Sequence, residues 1–293
     1  MSIFKGSAVA LVTPFTEDGV NYDALKTLLD FHLENGTAGI VACGTTGEPP
    51  TMTKEEKRGV IRYCIEYVNG RIPVIAGTGG NNTASVIEES IYAQEAGADA
   101  LLVVTPYYNR CSQDGLVKHY YAIADAVNIP IIVYNVPSRT GVNVLPATMA
   151  KLAEHKNLVA VKEACGNISQ IVELARVIEG KMDLYSGNDD QIIPLLSIGG
   201  IGVISVLANV APKETQEMTM AFLEGDTARA AKMQRDLNPL ISALFSDVNP
   251  IPAKTALNMM GFAAGPLRLP LSDMSESAAA HLRETLAAYG LLK

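Results

Sequence analysis

The sequence predicts an α/β fold, a (β/α)8 TIM barrel followed by a C-terminal helical extension. Three observations carry this reading. Eight short apolar runs rich in β-branched residues alternate with helical stretches over residues 1–224, the pattern of parallel strands joined by right-handed crossovers. The first run is followed by Thr13-Pro14-Phe15, with no glycine until Gly19, whereas a dinucleotide-binding sheet opens on a glycine-rich turn. Beyond Pro212 the pattern turns wholly helical.

In chain order, strands are expected at Ala8–Val12, Gly39–Ala42, Val74–Gly77, Ala100–Val104, Ile131–Tyr134, Leu158–Lys162, Leu184–Ser186 and Val203–Val206. Between them, Asp23–Glu34 places Leu25, Leu28, Leu29 and Leu33 on one helical face. The stretch Thr53–Val68 opens with Thr53 and Glu56 at capping-box spacing. Val86–Ala96 and Ile168–Ile178 are followed by the stop signals Gly97 and Gly180. Gln191 to Pro212 is uncharged and long enough for a bilayer, but Pro194, Gly199-Gly200 and Gly202 break it into a short helix, a turn and a strand. No membrane span is expected. The helical runs Glu214–Leu223, Thr227–Phe245, Pro252–Met260 and Glu276–Tyr289 close the chain. The barrel is assigned residues 1–224 and the extension residues 225–293.

With 293 residues and 48% hydrophobic content, the chain can bury a sizeable core. A formal charge of -8 and a pI near 5.1 argue against nucleic acid or an anionic membrane as partner. The N-terminus has no basic leader or apolar signal core, and Cys43, Cys64, Cys111 and Cys165 are scattered without a C-x-x-C pair. Both features fit reduced thiols in a cytoplasmic protein. His32, His119, His155 and His281 are equally dispersed, so no metal site is expected.

In such a barrel the chemistry lies at the C-terminal ends of the strands. Those positions hold Gly44-Thr-Thr-Gly-Glu48, Thr105-Pro-Tyr-Tyr-Asn109, Tyr134-Asn-Val-Pro-Ser-Arg-Thr-Gly141, Lys162, Ser186-Gly187-Asn188 and Ile204. The Gly44–Gly47 turn offers N–H groups and hydroxyls suited to a carboxylate or phosphate, or it is an ordinary glycine-rich turn. Lys162 ends an apolar strand and is either a snorkelling surface residue or an amine in a dry pocket. In the second case desolvation frees its lone pair for attack on a carbonyl. Tyr134, on the adjacent strand end, can pass protons to and from an imine carbon. Gly77-Thr-Gly-Gly-Asn81 has no accompanying basic residue and reads as a structural turn. Aldol chemistry needs an electron sink, either a metal on histidines or a lysine Schiff base, and the histidine cluster is missing.

These residues resemble the dihydrodipicolinate synthase family. The resemblance rests on Gly44-Thr-Thr-Gly-Glu48, Tyr134–Gly141, Val161-Lys-Glu-Ala164 and Gly202-Val-Ile-Ser-Val206, and extends to Asn249-Pro-Ile-Pro252 and Leu267-Arg-Leu-Pro-Leu271. It implies a cytoplasmic, usually tetrameric, class I aldolase-type lyase of lysine and diaminopimelate synthesis. Such an enzyme condenses pyruvate with L-aspartate 4-semialdehyde to 4-hydroxy-tetrahydrodipicolinate and needs no cofactor beyond the imine between Lys162 and pyruvate. By position, Tyr134 is the proton donor and acceptor, and Thr46 and Tyr108 complete the relay. Tyr107 reaches across a subunit interface. Thr45, Gly187 and the Ile204 backbone hold pyruvate, and Arg139 takes the semialdehyde's carboxylate. Lysine-inhibited members tend to carry histidine and glutamate where this chain has Lys54, Lys57 and Ser85, so weak or absent feedback by lysine is expected. Cys111 and Cys165 depart from the usual proline and serine or threonine. Two alternatives stand beside this reading. One is another pyruvate-dependent aldolase such as N-acetylneuraminate lyase. The other is a non-catalytic barrel that binds a small acid, with Lys162 paired to Glu163.

Overall fold

The computed structural model describes residues 2–292. The first strand, β1 (Gly6–Ala10), runs into a small hairpin, β2 (Phe15–Thr16) and β3 (Gly19–Val20). Then come α1 (Tyr22–Glu34), β4 (Gly39–Ala42), α2 (Lys54–Val68), β5 (Val74–Gly77), α3 (Thr83–Glu95), β6 (Ala100–Val104) and α4 (Gln113–Ala126). β7 (Ile131–Asn135) is followed by two helices, α5 (Pro137–Thr140) and α6 (Pro146–Leu152). β8 (Leu158–Glu163), α7 (Ile168–Ile178), β9 (Asp183–Ser186), α8 (Ile192–Leu196), β10 (Gly202–Ser205) and α9 (Pro212–Leu223) complete the alternation. The chain ends in α10 (Thr227–Leu244), α11 (Ile251–Met259) and α12 (Glu276–Ala288).

β1 and β4 to β10 are parallel and close in the order β1-β10-β9-β8-β7-β6-β5-β4, so the expected eight-stranded barrel is present. Strand alternation sorts the side chains into two cores. Ala8, Val41, Ile75, Leu102, Ile132, Ala160, Tyr185 and Ile204 fill the lumen, while Val9, Ile40, Val133 and Val161 face the helices. On β8 this alternation turns Lys162 inward with Ala160 and Glu163 outward with Val161.

Five of the eight strands differ in their bounds from expectation; among them β7 and β8 run one residue further and β9 starts one residue earlier. β1 ends at Ala10, because after a last bond from the Leu11 N–H to Val41 O on β4 the Val12 N–H turns to the Asn209 side chain. β10 ends at Ser205, because the N–H groups of Val206 and Leu207 turn to the Asp189 carboxylate at 3.0 and 2.8 Å. The hairpin β2–β3 was not anticipated, since two-residue strands are too short for alternation to show. The uncharged stretch after Gln191 forms the expected short helix, α8, and strand, β10. No helix among the described residues is long and apolar enough to cross a membrane. The Thr53–Glu56 capping box of α2 is formed in both directions. In the Gly77–Asn81 stretch a side chain at Gly77 would start 2.2 Å from the Cys43 carbonyl oxygen, so close strand packing accounts for that glycine.

Candidate active site

At the C-terminal ends of the strands lies a cavity of about 330 Å³. Its lining includes Gly44, Thr45, Tyr107, Tyr134, Arg139 and Asn249. A larger hollow of about 790 Å³ sits beside the other end of β8 and β9, near Val159 and Asp183, away from these residues. Three non-glycine residues hold left-handed backbone around the cavity mouth: Cys43 (φ 56°), Glu48 (φ 55°) and Tyr108 (φ 70°). Such conformations persist only where surrounding contacts enforce them, and they gather at functional sites.

Lys162 forms the floor. It pairs in register with Tyr134 on β7 and Tyr185 on β9, is 5% exposed, and sets Nζ 4.3 Å from the Tyr134 ring centre. Burial pulls its pKa from 10.5 to about 7, the Asp189 carboxylate works against that fall, and Arg139 adds to it. No carboxylate pairs with Lys162 among the described residues. Glu163 points to the outer side, where it accepts bonds from Asn135 Nδ2 at 3.1 and 3.0 Å and from the Cys165 N–H at 2.7 Å. The Lys162–Glu163 ion pair of the binding-barrel alternative is therefore not formed. Gly187 is required at the floor: a Cβ there would lie 3.1 Å from Lys162 Cε and 2.8 Å from Ala164 Cβ. Ile204, fully buried on β10, faces the same lumen.

Tyr134 is buried, and burial raises its phenol pKa; Arg139 and a hydrogen bond with Thr45 act in the opposite direction. Of the two threonines, Thr45 is the one that acts on the phenol's pKa. Thr46 is buried and accepts from Asn249 Nδ2 at 3.0 Å, so its side chain is committed to the C-terminal segment. Tyr107 lines its own cavity, while Tyr108 is 87% exposed and does not reach it. Arg139, on the one-turn helix α5, stands at the mouth and donates from Nη2 to the Asn249 carbonyl at 3.1 Å.

Lys57 lines the cavity, whereas Lys54 is paired with Glu88 and lies 3.6 Å from Glu89. Of the two cations singled out in the sequence, only Lys57 is thus placed to act on a ligand there. Among the described residues no group of three or more His, Cys, Asp or Glu could hold a metal ion.

Asn249, Asp189 and Lys254 were missed in the sequence. Asn249 sits in a quoted motif but without a role. Asp189 is 2% exposed and its carboxyl pKa is raised by burial. Lys254, the only charged residue of α11, could have been found by that isolation alone.

Comparison with known proteins agrees with this geometry. A model of the Dihydrodipicolinate synthetase family matches residues 3–289. The 4-hydroxy-tetrahydrodipicolinate synthase of a Thermoanaerobacter species is 57% identical over 294 residues, covering 100% of this chain and 99% of that protein. 4-Hydroxy-tetrahydrodipicolinate synthase 1 of Clostridium acetobutylicum is 55% identical over 293 residues, covering 100% of both. Among solved structures, dihydrodipicolinate synthase from Aquifex aeolicus superposes with a TM-score of 0.97 at 47% identity, covering 99% of this chain and 100% of that one. The chloride-inhibited enzyme from Acinetobacter baumannii, complexed with pyruvate, gives 0.96 at 44%, covering 98% and 99%. The chain belongs to the Dihydrodipicolinate synthetase family.

Proposed function

We infer that this chain is a lyase that condenses pyruvate with L-aspartate 4-semialdehyde to 4-hydroxy-tetrahydrodipicolinate and water, in lysine and diaminopimelate biosynthesis. The observation that carries the reading is a buried amine, Lys162, brought by burial to a pKa of about 7 directly beneath the Tyr134 ring. A neutral fraction is then available at physiological pH to attack the ketone carbon of pyruvate. The Tyr134 phenol, protonated because burial opposes its ionisation, donates to the departing hydroxyl as water leaves. The resulting iminium acidifies the pyruvate methyl group, and the phenolate just formed takes that proton. The enamine then attacks the aldehyde carbon, and the oxygen formed takes a proton to become the hydroxyl. The second substrate's own amine attacks the iminium carbon and displaces Lys162 as the free amine. The iminium on Lys162 is itself the electron sink, so no cofactor is invoked.

Thr45 serves as Tyr134's relay partner. The Thr45–Thr46 turn, Gly187 and the Ile204 backbone hold pyruvate, and Arg139 takes the second substrate's carboxylate, for which its fork is suited. Tyr108 completes the relay of a neighbouring subunit in a cytoplasmic homotetramer. Its 87% exposure in the single chain supports that role, although a monomeric dihydrodipicolinate synthase variant 43% identical to this chain has been solved.

Borohydride reduction in the presence of pyruvate tests the reading. A mass increase mapped to Lys162 is expected. Its absence would favour the acid-binding barrel, and turnover of N-acetylneuraminate in place of the semialdehyde would favour the other aldolase.

A further inference from the structure

Glu48 closes the Thr45–Thr46 turn in a conformation that an L-residue adopts at a cost and glycine does not (φ 55°, ψ 38°). A glutamate persists there, so its side chain must matter. Both carboxylate oxygens are engaged. Oε1 accepts from Lys254 Nζ at 2.7 Å, and Oε2 accepts from the Arg268 N–H at 3.2 Å. The ion pair is sealed, with side-chain exposures of 1% for Lys254 and 0% for Glu48. Lys254 also donates to the Pro266 carbonyl at 2.8 Å and lies 4.1 Å from the Phe15 ring centre. The Arg268 guanidinium sits 3.9 Å from the same ring and bonds both Glu56 and the Thr51 carbonyl. The C-terminal segment therefore grips the loop after β4 at the turn that carries the two threonines. Asn249 provides a second tie to Thr46 at 3.0 Å.

Stability alone gives no reason for this arrangement. A buried ion pair is often replaceable by apolar side chains without loss, because its attraction barely exceeds the desolvation of two charges. With its side chain fully buried and both oxygens bonded to the C-terminal segment, Glu48 does not act on the reacting atoms. What the pair fixes is the direction and place of the turn. We propose that Glu48 is a positioning residue for the Thr45–Thr46 turn, locked from behind by Lys254, so that the C-terminal helices act on pyruvate binding through a buried ion pair. This rests on the assignment of that turn to pyruvate.

The test is the concentration dependence of reductive labelling of Lys162 by pyruvate in the full-length protein, with melting followed alongside. In the double variant Glu48→Gln/Lys254→Met, neither buried charge is left unpaired, so the melting transition is expected to stay close to the parent's. The half-saturating pyruvate concentration is expected to rise about tenfold, while saturating pyruvate still labels Lys162 fully, as a displaced binding turn requires. The second double variant Glu48→Gln/Lys254→Gln, which keeps a neutral polar group at both positions, should raise it about threefold and decides the matter if the first does not fold. A half-saturation within twofold of the parent's in either folded variant overturns the proposal alone. A parent chain that takes up no label overturns the assignment of Lys162, and the proposal with it.

Discussion

Replacing Lys162 with methionine should abolish pyruvate labelling and yet make the protein more stable. The amine's folded-state pKa is about 7 against an ordinary 10.5, with burial as the leading cause. The unfolded chain thus binds the proton more tightly than the folded chain, and holding this side chain in the barrel costs stability wherever the unfolded amine is charged. At about 1.4 kcal/mol per pH unit, the penalty is about 5 kcal/mol well below pH 7 and about 4 at pH 7. It shrinks to about 2 kcal/mol at pH 9 and vanishes above about pH 10.5. Methionine has similar length and no charge to desolvate. For a chain of this size each kcal/mol moves the melting temperature by roughly 2–4 °C, so Lys162→Met should gain about 8–16 °C at pH 7 and roughly 3–6 °C near pH 9.5. Calorimetric melting of parent and variant side by side across pH 6–10 is the assay, since taking the difference cancels every other titrating group. A variant that melts at or below the parent at pH 7, or a gain that does not fall as pH rises, would refute the claim that Lys162 is desolvated at rest.

Tyr134→Phe keeps the ring over Lys162 but removes the proton carrier, and kcat for condensation should fall by about 10²–10⁴-fold. Labelling of Lys162 by pyruvate should persist, and parental turnover would remove Tyr134 from the mechanism. Thr45→Val and Thr46→Val should separate: the first lowers kcat with little change in melting. The second strands the buried Asn249 amide and costs about 1–3 kcal/mol of stability; the reverse pattern in paired melting and rate measurements would restore Thr46 to the relay. Lysine should inhibit weakly, because Lys57 faces the cavity where a cationic ligand would bind. Half-inhibition at sub-millimolar lysine in an initial-rate assay would sink that expectation.

The barrel was legible because strand alternation and helix periodicity are local, and Leu158–Lys162 or Ile131–Tyr134 display them within five residues. Lys162 was legible for a related reason. An apolar strand that ends in an amine leaves few environments for it, and its neighbour on β7 is again a strand end. What the sequence leaves open has one cause. Thr45 and Thr46 are adjacent and chemically alike, and what distinguishes them comes from distant partners, Tyr134 for one and Asn249 for the other. Tyr107 and Tyr108 repeat the problem. A positive φ at Tyr108 turns one ring outward, and a doublet of identical residues gives no sign of which one turns.

Lys254 marks the limit of such reading. Its carboxylate partner is 206 residues away, and a lone lysine in a short helix ordinarily signals a solvated face. The surroundings are what make it otherwise: Phe15 beneath it, the Pro266 carbonyl beside it and Glu48 ahead leave no path to water. Those contacts exist only once the tail has folded back over the barrel mouth. The helices after α9 therefore do more than cover the barrel, because the hydroxyls at its mouth are held from behind by a segment that the alternating pattern alone would treat as an appendage.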